Sequence, residues 1–247
     1  VTGVAALRGP VLVTGTDTGV GKTIVTAAIA AAATVAGLRV AVLKPGQTGI
    51  APGSPELSDI EVITRLAGPA RAVTLATYPD PLAPATAARV SGLAPLELAE
   101  VVGAVRELDA GHDLVLIEGA GGLLVHLGPG WTAADLATAV GAPAVVVVRA
   151  GLGTLNHTAL TLEALQRRDI GAYVVIGSWP AEVEPVHRLN LEDLPGVRVG
   201  MVPAGAAELT PETFRAAAPG WLSPVLHGTR IFAGDGCDAS DLRMGRT

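Results

Sequence analysis

The sequence predicts an open, doubly wound α/β domain: a mostly parallel sheet flanked by helices on both faces. Three observations predict it. Strand-length apolar runs are nearly continuous in hydrophobicity, as strands buried on both faces are. Helical patterns alternate with them, which implies right-handed β-α-β crossovers. The runs end in glycine or turn residues, and the first leads through a glycine-rich loop into a helix.

Each element follows in order. "PVLVTG" (10–15) is the first strand, and "GKTIVTAAIAAAATVAG" (21–37) is the helix after it. "RVAVLKPG" (39–46) is the second strand, and Pro45, which cannot continue a sheet ladder, is expected to turn the chain there. Helices "SPELSDIEVITRLAG" (54–68) and "APLELAEVVGAVRELDAG" (94–111) precede the third strand, "DLVLIEGAGG" (113–122). "APAVVVVRAG" (142–151) is the fourth strand, and "TLNHTALTLEALQRRDIG" (154–171) is its helix. "AYVVIGS" (172–178) and the weaker "VRVGMVP" (197–203) complete six strands, with a last helix at "TPETFRAAA" (210–218). There is no internal repeat and no long linker, so the reading is one domain over 10–227. Residues 1–9 read as an N-terminal extension, and 228–247 as a polar tail expected to be mobile.

Composition bounds the function. The chain has 247 residues, 49% of them hydrophobic, which is ample for a core. A formal net charge of −6, with no basic tract, argues against nucleic acid and anionic membranes as partners. The single cysteine, Cys237, excludes an intrachain disulfide framework and a cysteine metal cluster, and fits a reducing compartment. The longest apolar run is broken by Arg149, well short of the ~18 residues a spanning helix needs. No charged segment followed by a long apolar core opens the chain, so no signal peptide is expected. The expectation is a soluble, cytoplasmic protein.

Only two of the 17 basic residues are lysines, Lys22 and Lys44. A genome-wide compositional bias explains the excess of arginine. Under such a bias, the surviving lysines are candidates for positions where a planar guanidinium does not fit and a slim point charge does.

Lys22 belongs to "GTDTGVGKT" (Gly15–Thr23), set between a buried strand and an alanine-rich helix. That is the context of a phosphate-binding loop, here with five residues between Gly15 and Gly21 instead of the usual four. Backbone amides at a helix N-terminus make an anion site. Lys22 is placed to reach the β- and γ-phosphates, and the Thr23 hydroxyl to ligate Mg²⁺. The competing reading is a glycine-rich turn that only caps the helix.

Mg²⁺ takes oxygen ligands, usually one or two carboxylates with waters and phosphates. Glu118 ends a buried strand at the edge where open α/β sheets bind ligands, and "GAGG" after it permits close approach of a ligand. Asp59, in "ELSDIEV", reads by itself as a solvated helical residue. Lys44 stands at the same sheet edge as the phosphate loop. "GLGTLNH" opens a helix with free amides, where Thr154 or Asn156 either caps the helix or faces an anion.

Four motifs together resemble the dethiobiotin synthetase family: "GTDTGVGKT", "KPGQTG", "EGAGGLLV" and "GLGTLNHTALT", in family order over about residues 10–180. The resemblance implies a phosphate-loop NTPase-like fold and ATP-dependent carboxylation of 7,8-diaminopelargonate with CO2 or bicarbonate. A carbamate forms, ATP phosphorylates it, and the second amine closes the ring. It further implies that Lys22, Lys44 and Thr18 serve catalysis, with Thr48 on the carbamate or phosphate. Gly19, Val20, Gly21, Lys22, Thr23 and Ile24 would cradle the phosphates. Thr23, Asp59 and Glu118 would hold Mg²⁺, and Gly119, Ala120 and Gly121 would border the nucleotide. Gly153, Thr154, Leu155 and Asn156 would bind the substrate carboxylate across a homodimer interface. Gly177 and Ser178 stand where some members carry an Asn-Asp pair that reads adenine, and Pro203, Ala204 and Gly205 match the loop packed on the base. The missing amide implies a relaxed base preference, so ATP or another nucleoside triphosphate is the expected co-substrate.

The family's Lys-Pro-Val is Lys-Pro-Gly here, and Gly46 gives a more flexible loop that either slackens the placement of Lys44 or permits a slightly different substrate geometry. Two rivals share the fold. A partition-type nucleotide switch carries a second lysine early in the loop, where this chain has Asp17. An amide-forming ligase of cobyrinic acid carries a glutaminase domain with a nucleophilic cysteine, and the one cysteine here is in the tail.

Overall fold

The computed structural model describes residues 5–51 and 53–232. Seven parallel strands form one sheet in the order β3-β2-β4-β1-β7-β8-β9. They are β1 (Gly9–Gly15), β2 (Val40–Thr48), β3 (Arg71–Tyr78), β4 (Leu114–Gly122), β7 (Ala144–Val148), β8 (Ala172–Trp179) and β9 (Arg198–Pro203). A small antiparallel pair, β5 (His126–Gly128) and β6 (Trp131–Thr132), follows β4. The helices are α1 (Lys22–Val35), α2 (Asp59–Ala67), α3 (Pro84–Ser91), α4 (Leu98–Asp109), α5 (Ala133–Val140), α6 (Thr154–Gln166), α7 (Pro185–Asp193) and α8 (Pro211–Ala217).

The side-chain alternation of β1 divides the core. Val11 and Val13 face one side of the sheet, where α1, α2 and α8 pack; Leu12 faces the other, with Val101 and Val105 of α4 and Leu136 of α5. Such continuously apolar strands need two apolar layers. Helix α1 is covered on more than one side, by the sheet, α2, α8 and the 3₁₀ turn Ala218–Trp221. Ala27, Ala28 and Ala30–Ala33 are all buried there, because small side chains let several elements approach one helix.

The structure adds elements that the apolar pattern does not announce. Strand β3 lies at the sheet edge with most of its residues half-buried or exposed, so it lacks a continuous apolar run. The short helices α3, α5 and α7 are also additional. One expectation is overturned: the ladder does not stop at Pro45. Strand β2 runs on to Thr48, pairing Lys44 with Thr74 and Gly46 with Ala76 across β3. Pro45 is tolerated because it has no partner in that register and because pairing with β4 has already ended at Leu43. Gly46 is buried, and a Cβ there would lie 3.0 Å from Leu96 Cδ1 and 3.3 Å from Pro84 Cβ. Its small size leaves room for Leu96 and Pro84.

At the chain's ends, the Leu7 amide donates to Val225 O, and Gly228, Thr229 and Arg230 bond back to the 219–223 turn. Phe232 is buried with the guanidinium groups of Arg198 and Arg230 over its ring. The rest of the polar tail, with Cys237, lies outside the described residues. Among the described residues no helix is long and apolar enough to cross a membrane.

Candidate active site

Strands β1, β2 and β4 are neighbours, so their C-terminal ends bring three segments to one edge: the 15–23 loop, Lys44–Thr48 and Glu118–Gly122. Together with the N-terminus of α2 they line an open cavity of about 420 Å³. Thr18, Gly19, Gly21, Lys22, Thr23 and Ile24 line it from the loop and α1. Lys44 and Thr48 line it from β2, Asp59 from α2, and Glu118, Ala120 and Gly121 from β4.

The loop owes its course to glycine. Gly21 has φ 97° and caps α1 with no side chain, leaving the first amides of the helix free. A Cβ on Gly15 would meet Val20 Cγ2 at 2.7 Å and Lys22 Nζ at 3.2 Å. The Lys22 ammonium folds back over the loop and donates to Asp17 O at 2.9 Å. Burial, then the neighbouring Lys44, lowers its pKa to about 8, against the pull of Glu118, Asp59 and Asp17.

Lys44 is the centre of the site, only 4% exposed. Its Nζ lies 2.6 Å from Asp59 Oδ2 and 2.9 Å from Glu118 Oε1, and it donates to Gly119 O at 3.2 Å. Burial opposes its charge, but the carboxylates of Glu118 and Asp59 outweigh burial and raise its pKa. Glu118 is 1% exposed, and burial, partly offset by Lys44, pushes its pKa up. For Asp59 burial is overcome by Lys44 and the pKa falls. The Thr23 hydroxyl lies 3.0 Å from both Asp59 Oδ1 and Glu118 Oε1.

This oxygen set suits a divalent cation. Two carboxylates and a hydroxyl converge, and Glu118 Oε2 is buried without a hydrogen-bond partner. A buried carboxylate oxygen lacking a donor is costly, and a hard cation relieves it. Among the described residues no group of three or more His, Cys, Asp or Glu side chains forms a metal cage. The site therefore fits an ion that brings its own water and phosphate ligands, as Mg²⁺ does.

Two residues join the site that sequence reasoning did not single out. Gln47 is buried in β2, and its Oε1 accepts the Asp59 amide at 3.0 Å, fixing the start of α2. Its neutral amide gave no signal within a strand. Arg149, at the end of β7, pairs with Asp17 at 2.8 Å, and Thr18 N donates to the same carboxylate. Asp17 thus faces a cation where a partition-type loop would carry one.

Other expected residues lie apart from this cavity. Gly153 caps α6 in a left-handed conformation, Thr154 is buried, and Asn156 is exposed, with Leu155 half-buried. Leu152 beside them is 86% exposed. Gly177 packs on the phosphate loop: a Cβ there would fall 2.0 Å from Val20 O. Ser178 is exposed at the end of β8. Pro203 ends β9, and the Ala204 amide donates to Trp179 O at 2.7 Å; Ala204 and Gly205 are exposed.

An all-parallel sheet whose first strand leads through Gly15–Thr23 into α1 defines a phosphate-loop nucleotide-binding protein. A family model described as an AAA domain matches residues 10–206. The ATP-dependent dethiobiotin synthetase BioD of Rhodococcus jostii is 59% identical over 217 residues, covering 85% of this chain and 93% of that protein. The enzyme of the same name from Streptomyces avermitilis is 54% identical, covering 88% and 93%. The chain belongs to the ATP-dependent dethiobiotin synthetase family. Among solved structures, the septum site-determining protein MinD complexed with Mg-ADP from Pyrococcus horikoshii superposes with a TM-score of 0.51 at 16% identity. It covers 85% of this chain and 95% of that one, a likeness of fold alone.

Proposed function

We propose that this chain makes dethiobiotin in biotin biosynthesis, joining 7,8-diaminopelargonate and CO2 at the expense of a nucleoside triphosphate. The observation that carries the reading is Lys44, a buried ammonium beside two carboxylates in the mouth of the phosphate-loop cavity.

The chemistry is a sequence of anions. One substrate amine adds CO2 and loses a proton to give a carbamate. A carbamate oxygen attacks the γ-phosphorus, and ADP leaves. The second amine attacks the carbonyl carbon of the mixed anhydride, phosphate departs with the bridging oxygen, and the ureido ring closes. Such steps need positioning and charge stabilisation more than covalent catalysis. Lys22, with the free amides of Gly19–Ile24, holds the phosphates from one side. Lys44, Thr18 and Thr48 hold the carbamate from the other. Thr23, Asp59 and Glu118 would hold Mg²⁺, which neutralises charge on the transferred phosphoryl group. Gly119, Ala120 and Gly121 present backbone and no side chain larger than a methyl beside the nucleotide.

The rest of the substrate lies towards α6. The helix N-terminus at Gly153, Thr154, Leu155 and Asn156 carries no side-chain cap, and its dipole suits a carboxylate. The proposed homodimer brings these residues from a second copy, and exposed Leu152 and Leu160 supply apolar contact area. The nucleotide base lies against Gly177, Ser178, Pro203, Ala204 and Gly205. Gly177 offers only backbone, so CTP and other triphosphates are expected to compete with ATP. Turnover with ATP, CTP and GTP measures this; a sole preference for ATP contradicts it. The proposal places the enzyme in the cytoplasm.

Incubation with 7,8-diaminopelargonate, ¹³C-bicarbonate, Mg²⁺ and ATP tests the function. Dethiobiotin carrying one ¹³C is the expected product. Nucleotide hydrolysis without it favours the switch reading instead.

A further inference from the structure

We infer that Lys44 and the divalent cation are alternative occupants of one seat, so that the cation's arrival frees Lys44 for the substrate. The inference rests on the proposed function for the identity of cation and substrate.

An ammonium has three N–H donors. Those of Lys44 face three acceptors: Asp59 Oδ2, Glu118 Oε1 and Gly119 O, all within 3.2 Å. Without the cation Lys44 has no donor left for an anion. The Thr23 hydroxyl adds a contact to Asp59 Oδ1 and a second to Glu118 Oε1. Three of the four carboxylate oxygens are thus engaged, and the fourth, Glu118 Oε2, is buried without a partner. The ammonium therefore compensates this pair incompletely.

Charge gives the direction of exchange. Lys22 and Lys44 balance Asp59 and Glu118. A divalent cation entering that balanced cluster leaves an excess of positive charge beside buried Lys44 and Glu118, where repulsion is less screened than in open water. Moving Lys22 would vacate no carboxylate oxygen, because its ammonium is bonded to Asp17 O. Moving Lys44 does, because its ammonium sits on both Asp59 and Glu118 and its four-carbon stem lets it swing away. A hard divalent ion also outcompetes a monovalent ammonium for carboxylate oxygen. Released from Asp59 and Glu118, the ammonium turns into the cavity that Thr18 and Thr48 also line. The site then carries net positive charge and three open donors when the anionic carbamate arrives. Charging the enzyme with metal precedes productive recognition of carboxylated substrate.

Metal binding without nucleotide or substrate tests this, with Mn²⁺ as the probe, by electron paramagnetic resonance. Lys44→Met removes the competitor, and Mn²⁺ affinity is expected to rise about tenfold or more. Lys22→Met removes equal charge that is not seated on the carboxylates, and its gain is expected to stay below about threefold. Unchanged or weaker binding by Lys44→Met overturns the inference, as does an equal gain in both variants. A measurement on the unaltered protein guards against misfolding of the variants. With ¹⁵N-lysine labelling, the two lysines give two ammonium signals. Saturating Mg²⁺, checked by displacement of Mn²⁺, is expected to shift or broaden the Lys44 signal more than that of Lys22. A Lys44 signal that stays in place refutes the exchange. No step involves dethiobiotin, so failure of the proposed reaction and failure of this exchange are read separately.

Discussion

Lys44 shows how one side chain is selected by its surroundings. Three acceptors surround a compact ammonium in a buried seat, and a guanidinium is both longer and planar. Lys44→Arg is expected to lower kcat by about 100-fold or more while nucleotide still binds, because the lost contact matters where charge develops. Steady-state rates with a parallel nucleotide titration check this; near-normal turnover defeats it. Gly177 is selected by space. Restoring an asparagine there places a Cβ 2.0 Å from Val20 O, which the backbone of the phosphate loop has to yield to. Gly177→Asn is therefore expected to weaken ATP and CTP alike, by about tenfold, and not to install adenine preference. Calorimetric titration with both nucleotides decides; tighter ATP binding shows that the loop moves freely.

At the scale of elements, helix α2 aims Asp59. Ser58 caps it, with its hydroxyl accepting from Glu61 N and the Glu61 carboxylate accepting from Ser58 N at 2.7 Å. Asp59 is the first residue of that helix, and Gln47 accepts its amide. Ser58→Ala is expected to cost about 1 kcal/mol of stability. It should also raise the Mg²⁺ concentration for half-maximal activity, because the cap orients a proposed ligand. Thermal melts and an Mg²⁺ titration of turnover report the two effects. The sequence shows such elements unevenly. The strands beneath the site were legible because burial on both faces writes itself as a continuous apolar run. Strand β3 was not, since an edge strand with one neighbour has no such requirement. Lys22 and Lys44 were legible through the scarcity of lysine and through flanking glycine and proline. Gln47 and the Arg149–Asp17 pair were not, because their roles come from contacts between distant segments. Pro45 misled for a related reason: whether a proline ends a strand depends on where its neighbours pair, which only the assembled sheet decides.

For the whole molecule, the two ends of the described chain clasp each other beneath α1. His227 donates from Nε2 to Leu7 O at 2.8 Å, while Leu7 N donates to Val225 O. Burial lowers the His227 pKa below the ordinary 6.5, the Leu7 carbonyl opposes that, and Arg8 adds to it. The unfolded chain therefore takes up this proton first on acidification. Stability from the clasp is complete above pH 6.5 and is lost as pH falls through the folded value. Melting temperature is expected to fall between pH 7 and 5 more steeply in the parent than in His227→Gln, which keeps a donor but no titrating ring. Equal slopes remove His227 from the acid response.

The central claim is that this cavity transfers a phosphoryl group to a carbamate. Its most direct test is oxygen tracing. Freshly dissolved ¹⁸O-bicarbonate is supplied with diaminopelargonate, Mg²⁺ and ATP, and the released phosphate is weighed by mass spectrometry. One ¹⁸O per phosphate is predicted, carried over as the bridging oxygen of the anhydride. Phosphate without ¹⁸O, formed alongside labelled dethiobiotin, contradicts the account.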